Sequence, residues 1–113
     1  MPIFRSRDAL AIGGSLENVL TGSQFEIMPG TARIWHLSFG IISDVDLVFA
    51  DILTGTDVLM ENGELSNANR WPTDDDFDLF DLVAAAERIK IRLRNDNAAA
   101  AEVRTVIKIT PAG

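Results

Sequence analysis

The sequence predicts an all-β protein: an antiparallel β-sandwich or jelly roll of about seven or eight short strands. Three observations carry that prediction. Apolar and polar residues alternate with a period of two in several segments, as half-buried strands require. Turn-forming residues punctuate the chain between them, at Pro29-Gly30, Thr54-Gly55-Thr56, Asn62-Gly63 and Asn95-Asp96-Asn97. And 113 residues with 47% hydrophobic content make one domain whose core needs no staples.

Residues 1–15 have weak periodicity and a Gly13-Gly14 pair. They are expected to form an N-terminal arm or an early edge strand, ahead of a single β-sandwich domain over 16–113. Ser23–Met28 is a short segment closed by the Pro29-Gly30 turn. Thr31–Ile41 alternates, sending Trp35, Leu37 and Phe39 inward and Ile34, His36 and Ser38 to the other side. Asp44–Leu53 alternates too, with Val45, Leu47 and Phe49 expected inside and Asp46 opposite. Thr54-Gly55-Thr56 turns the chain, Val58–Met60 follows, and Asn62-Gly63 signals a hairpin. Glu64–Asn69 is polar, a short strand or a loop. It ends at Trp71-Pro72, because the residue before a proline is pushed into an extended conformation.

Residues 75–87 admit two readings. Leu79, Leu82, Val83 and Ala86 have the spacing of one helical face, and Asp74–Asp76 would sit favourably at the N-terminus of a short helix. The other reading is an acidic loop followed by a strand Phe77–Val83 and a turn. The last third is clearest. Arg88, Lys90, Arg92 and Arg94 alternate with Ile89, Ile91 and Leu93; after a turn, Val103, Thr105, Ile107 and Ile109 alternate with Arg104, Val106 and Lys108. The two segments read as an antiparallel hairpin with one dry and one charged face.

Ten basic against seventeen acidic residues give a net charge of −7. That balance argues against nucleic acid as a partner, since duplex-binding domains carry a basic excess. The charge is also unevenly spread. Residues 44–81 hold eleven acids and one base, whereas residues 88–108 hold six bases and two acids. A chain with opposite charge in its two halves is suited to assembly. Cysteine is absent, which excludes disulfides, thiolate metal sites and a cysteine nucleophile. No apolar run approaches the length of a membrane span, and the N-terminus lacks a signal-peptide pattern.

The acidic run is the loudest candidate site. Asp74, Asp76 and Asp78 occupy the first, third and fifth places of a calcium loop, a spacing that brings carboxylates around one divalent cation. The pattern then breaks: Leu79 stands where the turn glycine belongs and Ala85 where the bidentate glutamate belongs. Three readings stay open for the segment: a solvated acidic loop, a non-canonical cation site, or a subunit-interface partner for the bases. That interface set is Arg88, Lys90, Arg92 and Arg94 on one side and Asp74, Asp75, Asp76 and Asp78 on the other, with Trp71 beside them. Alternate residues of a strand project to one side, so the four cations stand in a row and call for acids nearby. Arginine outnumbers lysine eight to two, which favours fixed carboxylate pairs. His36 is the only histidine, with a structural or solvent-facing role expected. No nucleophile elbow, zinc-protease, phosphate-loop or dinucleotide motif occurs. The reading is therefore of a protein that is not an enzyme and needs no cofactor.

Taken together, the polar arm Met1–Ser15, the short alternating strands, the turns at Pro29-Gly30 and Asn62-Gly63, the acidic loops and the lack of cysteines and catalytic motifs resemble the small β-sandwich virion proteins of bacteriophages. These are minor capsid, coat and capsid-decorating subunits. The resemblance implies a structural subunit that occupies a lattice position through contacts with its own copies or with other capsid subunits. It implies a location in the virion after synthesis in the host cytoplasm. No functional residue is carried over, because no motif is matched. Coat proteins that line a genome usually show a basic arm, and only Arg5 and Arg7 lie on this one, which favours an outer or decorating position. The alternative is a carbohydrate- or cation-binding module, cytoplasmic, using Trp71 and residues 74–81.

Overall fold

The computed structural model describes residues 3–112, Thr56 and Asp78 excepted. It contains nine strands among the described residues: β1 (Ile3–Leu10), β2 (Ser15–Leu16), β3 (Ile34–Ser43), β4 (Val48–Thr54), β5 (Asp57–Glu64), β6 (Ser66–Asn67), β7 (Leu79–Ala84), β8 (Ile89–Asn95) and β9 (Ala101–Pro111). They form two sheets. In the first, β1 pairs β9, β9 pairs β3, and the far edge of β3 is shared by β7 and the parallel two-residue strand β6. In the second the order is β2-β8-β4-β5. No strand is common to both sheets. The fold is all-β, two mostly antiparallel sheets packed as a sandwich.

The pairings are nested. β4 pairs β5 across the tightest turn, then β3 pairs β7, β2 pairs β8, and β1 pairs β9. The turn that starts this winding follows Thr54 at Gly55, which takes a φ of 63° that a side chain would resist. The segment Ile3–Leu10 takes the edge-strand role, hydrogen-bonded along β9 from Ile3↔Lys108 to Leu10↔Ala101.

Inward residues of both sheets make one core. Trp35, Leu37 and Phe39 are buried as the alternation of β3 requires, and so are Ile89, Ile91, Leu93, Val103, Ile107 and Ile109. Trp35 Nε1 donates to the Pro29 carbonyl at 2.9 Å, so its one polar atom is satisfied inside. Asn18 and Asn95 are buried polar residues that replace missing ladder bonds. Asn18 Oδ1 accepts from the Leu20 and Ile91 amides, each at 3.1 Å, extending the edge of β8 beyond the short β2. Asn95 donates to the carbonyls of Ala11 and Ala99 and accepts from the Asn97 amide, tying the β1–β2 turn to the β8–β9 turn.

Four sequence expectations are corrected here. The short helix at 75–87 does not form: Asp74–Asp76 is a single 3₁₀ turn and Leu79–Ala84 is a strand. The open edge of β3 needs backbone partners over Ile34–Phe39, and satisfying them outweighs an apolar spacing that fits a helix. In β4 the inward set is Val48, Ala50 and Ile52, not Leu47 and Phe49, while Val45, ahead of the strand, packs against the core as expected. Leu47 has a φ of 58°, a left-handed kink that shifts the alternation by one and turns every later side chain over. Asn62-Gly63 lies within β5, with Asn62 at φ 52°, where the β4–β5 ladder is irregular, rather than at a hairpin tip. And β8 and β9 do not pair with each other; the turn between them crosses from one sheet to the other.

Candidate functional site

At the open edge of the sandwich, strands β7 and β5 face each other across a gap. Phe39, Ile41 and Leu79 of the first sheet and Ile52 and Met60 of the second line a cavity of about 130 Å³ there. Leu65 also lines it, and Glu64, Ser66 and Asp76 stand among its lining as the polar groups. The geometry follows from the crossover after β5. That segment leaves the second sheet at Glu64, touches β3 through β6, and brings the Asp74–Asp76 turn to the cavity.

The two carboxylates differ in surroundings. Glu64 is exposed, and one oxygen accepts the Leu47 amide at 3.2 Å. Asp76 is held more tightly. Arg70 Nη1 donates to it at 2.5 Å and the Thr73 amide at 2.7 Å. The Arg70 guanidinium, then the Thr73 amide, hold the Asp76 carboxyl below the usual aspartate range. It remains an anion and an acceptor throughout the neutral range.

The rest of the acidic segment is dispersed. Asp74 pairs with Lys108 at 3.1 Å, above the outer face of the first sheet. Asp78 and the Asp75 side chain lie outside the described residues. Among the described residues no three metal-ligating side chains converge. The loop 71–77 covers that same outer face, where a Cβ on Gly40 would meet Pro72 at 3.0 Å and Phe77 at 3.1 Å. Trp71 is half-buried in this cover, with the Arg5 guanidinium 5.2 Å from its ring centre. It does not line the cavity.

The basic row Arg88, Lys90, Arg92 and Arg94 stands on the outer face of the second sheet, away from residues 74–76. Its partners are close at hand. Lys90 and Arg92 both reach Glu17, Arg92 also approaches Asp51, and Arg94 pairs with Asp96. Lys90, with Arg92, holds the Glu17 carboxyl below its ordinary range. The chain thus supplies its own acids to most of the row, from Glu17, Asp51 and Asp96 rather than from the 74–81 segment.

One surface was not read from the sequence. On the outer side of β3 and β7, Ile34, Phe80 and Leu82 are 41%, 64% and 59% exposed. His36 stacks on Phe80, with ring centres 5.9 Å apart. The signal was present: β7 carries Leu79 and Val83 on one face and Phe80 and Leu82 on the other, and an edge strand with one solvated face does not need the second pair.

No protein-family model matches this chain, and no curated protein matches it either. Among the described residues no helix is long and apolar enough to cross a membrane.

Proposed function

We propose that the chain is a non-enzymatic β-sandwich binding module, with its ligand seat in the cavity between β5 and β7 and a small carbohydrate unit as its ligand. The observation that carries this reading is the cavity itself, with a floor to which both sheets contribute apolar side chains beside two carboxylates and a hydroxyl. Such a floor suits the apolar face of a sugar ring. Glu64 offers a charged acceptor to its hydroxyls, while Asp76, held by Arg70 and Thr73, fixes the rim beside it. At about 130 Å³ it is a little smaller than a cavity of roughly 150 Å³ that takes a benzene-sized ring, so one edge of a single sugar ring enters it and the rest stays at its mouth. Asp76 belongs to the acidic segment that the sequence singled out, whereas Trp71 does not reach the cavity. The cation form of this reading has less behind it, because Asp74 and Asp76 turn to Lys108 and Arg70.

Titration calorimetry with a glycan panel tests the proposal. Binding by the native chain is expected to weaken about tenfold or more in Glu64→Gln, since hydrogen bonds to charged groups contribute roughly 1.5–3 kcal/mol. It is expected to vanish in Leu79→Trp, which fills the cavity. Silence across the panel removes the reading.

A second reading is a structural subunit of an oligomeric assembly of the bacteriophage-virion type: capsid, minor capsid or capsid-decorating protein. The nested pairing favours it. With β6 set aside, the orders β1-β9-β3-β7 and β2-β8-β4-β5 correspond to one long antiparallel hairpin rolled over on itself. That nesting is what supports reading the sandwich as akin to the double-sheet jelly rolls, an architecture of viral capsid and lectin domains. Light scattering on a sizing column at low and high salt tests it. A trimer, pentamer or larger particle supports a subunit, and dissociation by salt or by Arg92→Glu locates its contacts in charge. A monomer under every condition that also fails to bind particles sets it aside.

A further inference from the structure

We infer that the outer edge of β1 is the seat of an extended acidic segment of a partner protein, added to the first sheet as a further strand. The inference goes beyond the ligand cavity, which lies between β5 and β7, whereas β1 is at the opposite end of the first sheet.

The other sheet edges are closed or broken. On β7, the Leu82 amide donates to Asp81 Oδ1 at 2.9 Å and the Ala84 amide donates to Glu87 Oε1 at 3.1 Å. The chain's own carboxylates therefore occupy backbone donors that an added strand would need. On β5, the ladder with β4 shifts register twice and Asn62 takes a φ of 52°. Bulges of this kind twist an edge away from a new partner. β2 has only two residues. β1 has eight, and it pairs with β9 without a register shift from Ile3↔Lys108 to Leu10↔Ala101. Among the described residues no hydrogen bond reaches the other side of its backbone over Ile3–Ala9. Alternate amides and carbonyls there face outward as a regular, unpaired ladder.

Charge selects the occupant. Arg5, Arg7 and Ala9 face the outer side of the sheet, with Arg7 directly opposite Arg104 and Ala9 directly opposite Glu102. Like charges placed opposite each other repel. Glu102 relieves this by pairing with both guanidiniums, so one carboxylate serves two arginines. Arg5 meets no carboxylate among the described residues; its guanidinium lies 5.2 Å from the Trp71 ring centre. The surface along this edge thus carries an excess of cations on a chain whose net charge is −7. A second copy of β1 does not suit it. The two antiparallel registers that pair most of the strand set Arg5 against Arg7, or Arg7 against Arg7. A strand with acids at alternate positions does suit it. Side chains on one face recur every second residue in both strands, so acids at i and i+2 fall beside Arg5 and Arg7. Main-chain bonds to the open ladder hold such a segment, and the acids fix its register.

Calorimetry and amide hydrogen exchange on the full chain test this, with a capped peptide of alternating glutamate and threonine, as long as β1, for the probe. The peptide is expected to bind, to bind more weakly as salt is raised, and to slow exchange at outward amides of Ile3–Ala9 but not in β7. Arg5→Glu, at an exposed site, is expected to weaken binding by about tenfold or more with an unchanged thermal midpoint, and Arg5→Gln to weaken it less. The same peptide with every amide N-methylated, which cannot join a ladder, is expected not to bind. No binding, or equal binding by the N-methylated peptide or by a glutamine-threonine analogue, overturns the proposal. Oligothymidylate binding through Arg5 in place of the peptide also overturns it and assigns the patch to nucleic acid. Glycan binding in the cavity is expected to survive Arg5→Glu, so the two readings fail separately.

Discussion

The Thr54 hydroxyl donates to Asp81 Oδ2 across 2.6 Å, and this bond joins the two sheets at their open edge. Thr54 ends β4 in the second sheet and is buried; Asp81 sits in β7 of the first, on its inward side. The other Asp81 oxygen holds the Leu82 amide, so one side chain both links the sheets and closes the β7 edge. Thr54→Val keeps the shape and removes the donor. It is expected to cost about 1.5–3 kcal/mol, the usual range for a hydrogen bond to a charged group. Urea unfolding of the variant measures the cost, and a loss below about 0.5 kcal/mol would show that the bond contributes little to joining the sheets.

Asn95 does for the turns what Thr54 does for the sheets. Its amide reaches the Ala11 carbonyl at 3.1 Å and the Ala99 carbonyl at 3.0 Å, and its oxygen accepts the Asn97 amide at 2.9 Å. Asn95→Ala leaves buried backbone groups without partners, an expected loss of about 2–4 kcal/mol. Asn95→Asp keeps the acceptor but loses the donors and adds a buried charge, so it is expected to be at least as destabilising. Thermal unfolding of both variants side by side distinguishes a donor role from simple space-filling. An aspartate variant as stable as the native chain would refute it.

Where every residue of a strand obeyed one alternation, the sequence was readable. Trp35, Leu37 and Phe39, and later Ile89, Ile91 and Leu93, point where period two sends them. Errors began where a single backbone torsion broke the period. Leu47 at φ 58° is not a residue from which a left-handed turn is expected, so the inward set of β4 was assigned one position early. Asn62-Gly63 has strong hairpin chemistry, yet Gly55 had already made the turn seven residues before. The helical spacing at Leu79, Leu82, Val83 and Ala86 hid a strand because Phe80 and Leu82 face outward, uncovered. Partners distant in sequence were the least legible. Nothing in the row Arg88–Arg94 announces that Glu17, more than seventy residues away, will pair with Lys90 and Arg92. Asp76 was singled out, but Glu64 and Ser66 join it only through the crossover after β5.

The acid limb of stability is expected to depend on Arg70. The Asp76 carboxyl lies below its ordinary range because Arg70 and the Thr73 amide bind the anion. A group whose folded value is depressed contributes stability above its unfolded value, about pH 4, and loses it as pH falls through the folded value. Glu17 and Glu102 follow the same sign, held down by Lys90 and by Arg7. Stability is therefore expected to hold from neutral pH down to the carboxylate range and to fall below it. In Arg70→Met the Asp76 titration, followed by carboxyl-carbon NMR, is expected to move up towards the ordinary aspartate value. An unmoved titration would assign the shift to the Thr73 amide alone.

The two tryptophans are expected to behave oppositely when truncated. Trp35 is 4% exposed, packed in the core from the centre of the first sheet, with its indole nitrogen bonded to Pro29. Trp35→Ala removes that packing and the bond together, an expected loss of about 3–5 kcal/mol. Trp71 belongs to the cover over the outer face, half-buried, with the Arg5 guanidinium over its ring. A cation over an aromatic face at a partly exposed site contributes about 0.5–1 kcal/mol. Trp71→Ala is therefore expected to cost well under half of what Trp35→Ala costs. It should also leave glycan affinity within about twofold, since the ring stays clear of the cavity lining. Paired unfolding and calorimetry on the two variants checks both statements. A Trp71→Ala protein that folds normally yet loses the ligand would move the binding site from the sandwich mouth to the outer face of the first sheet.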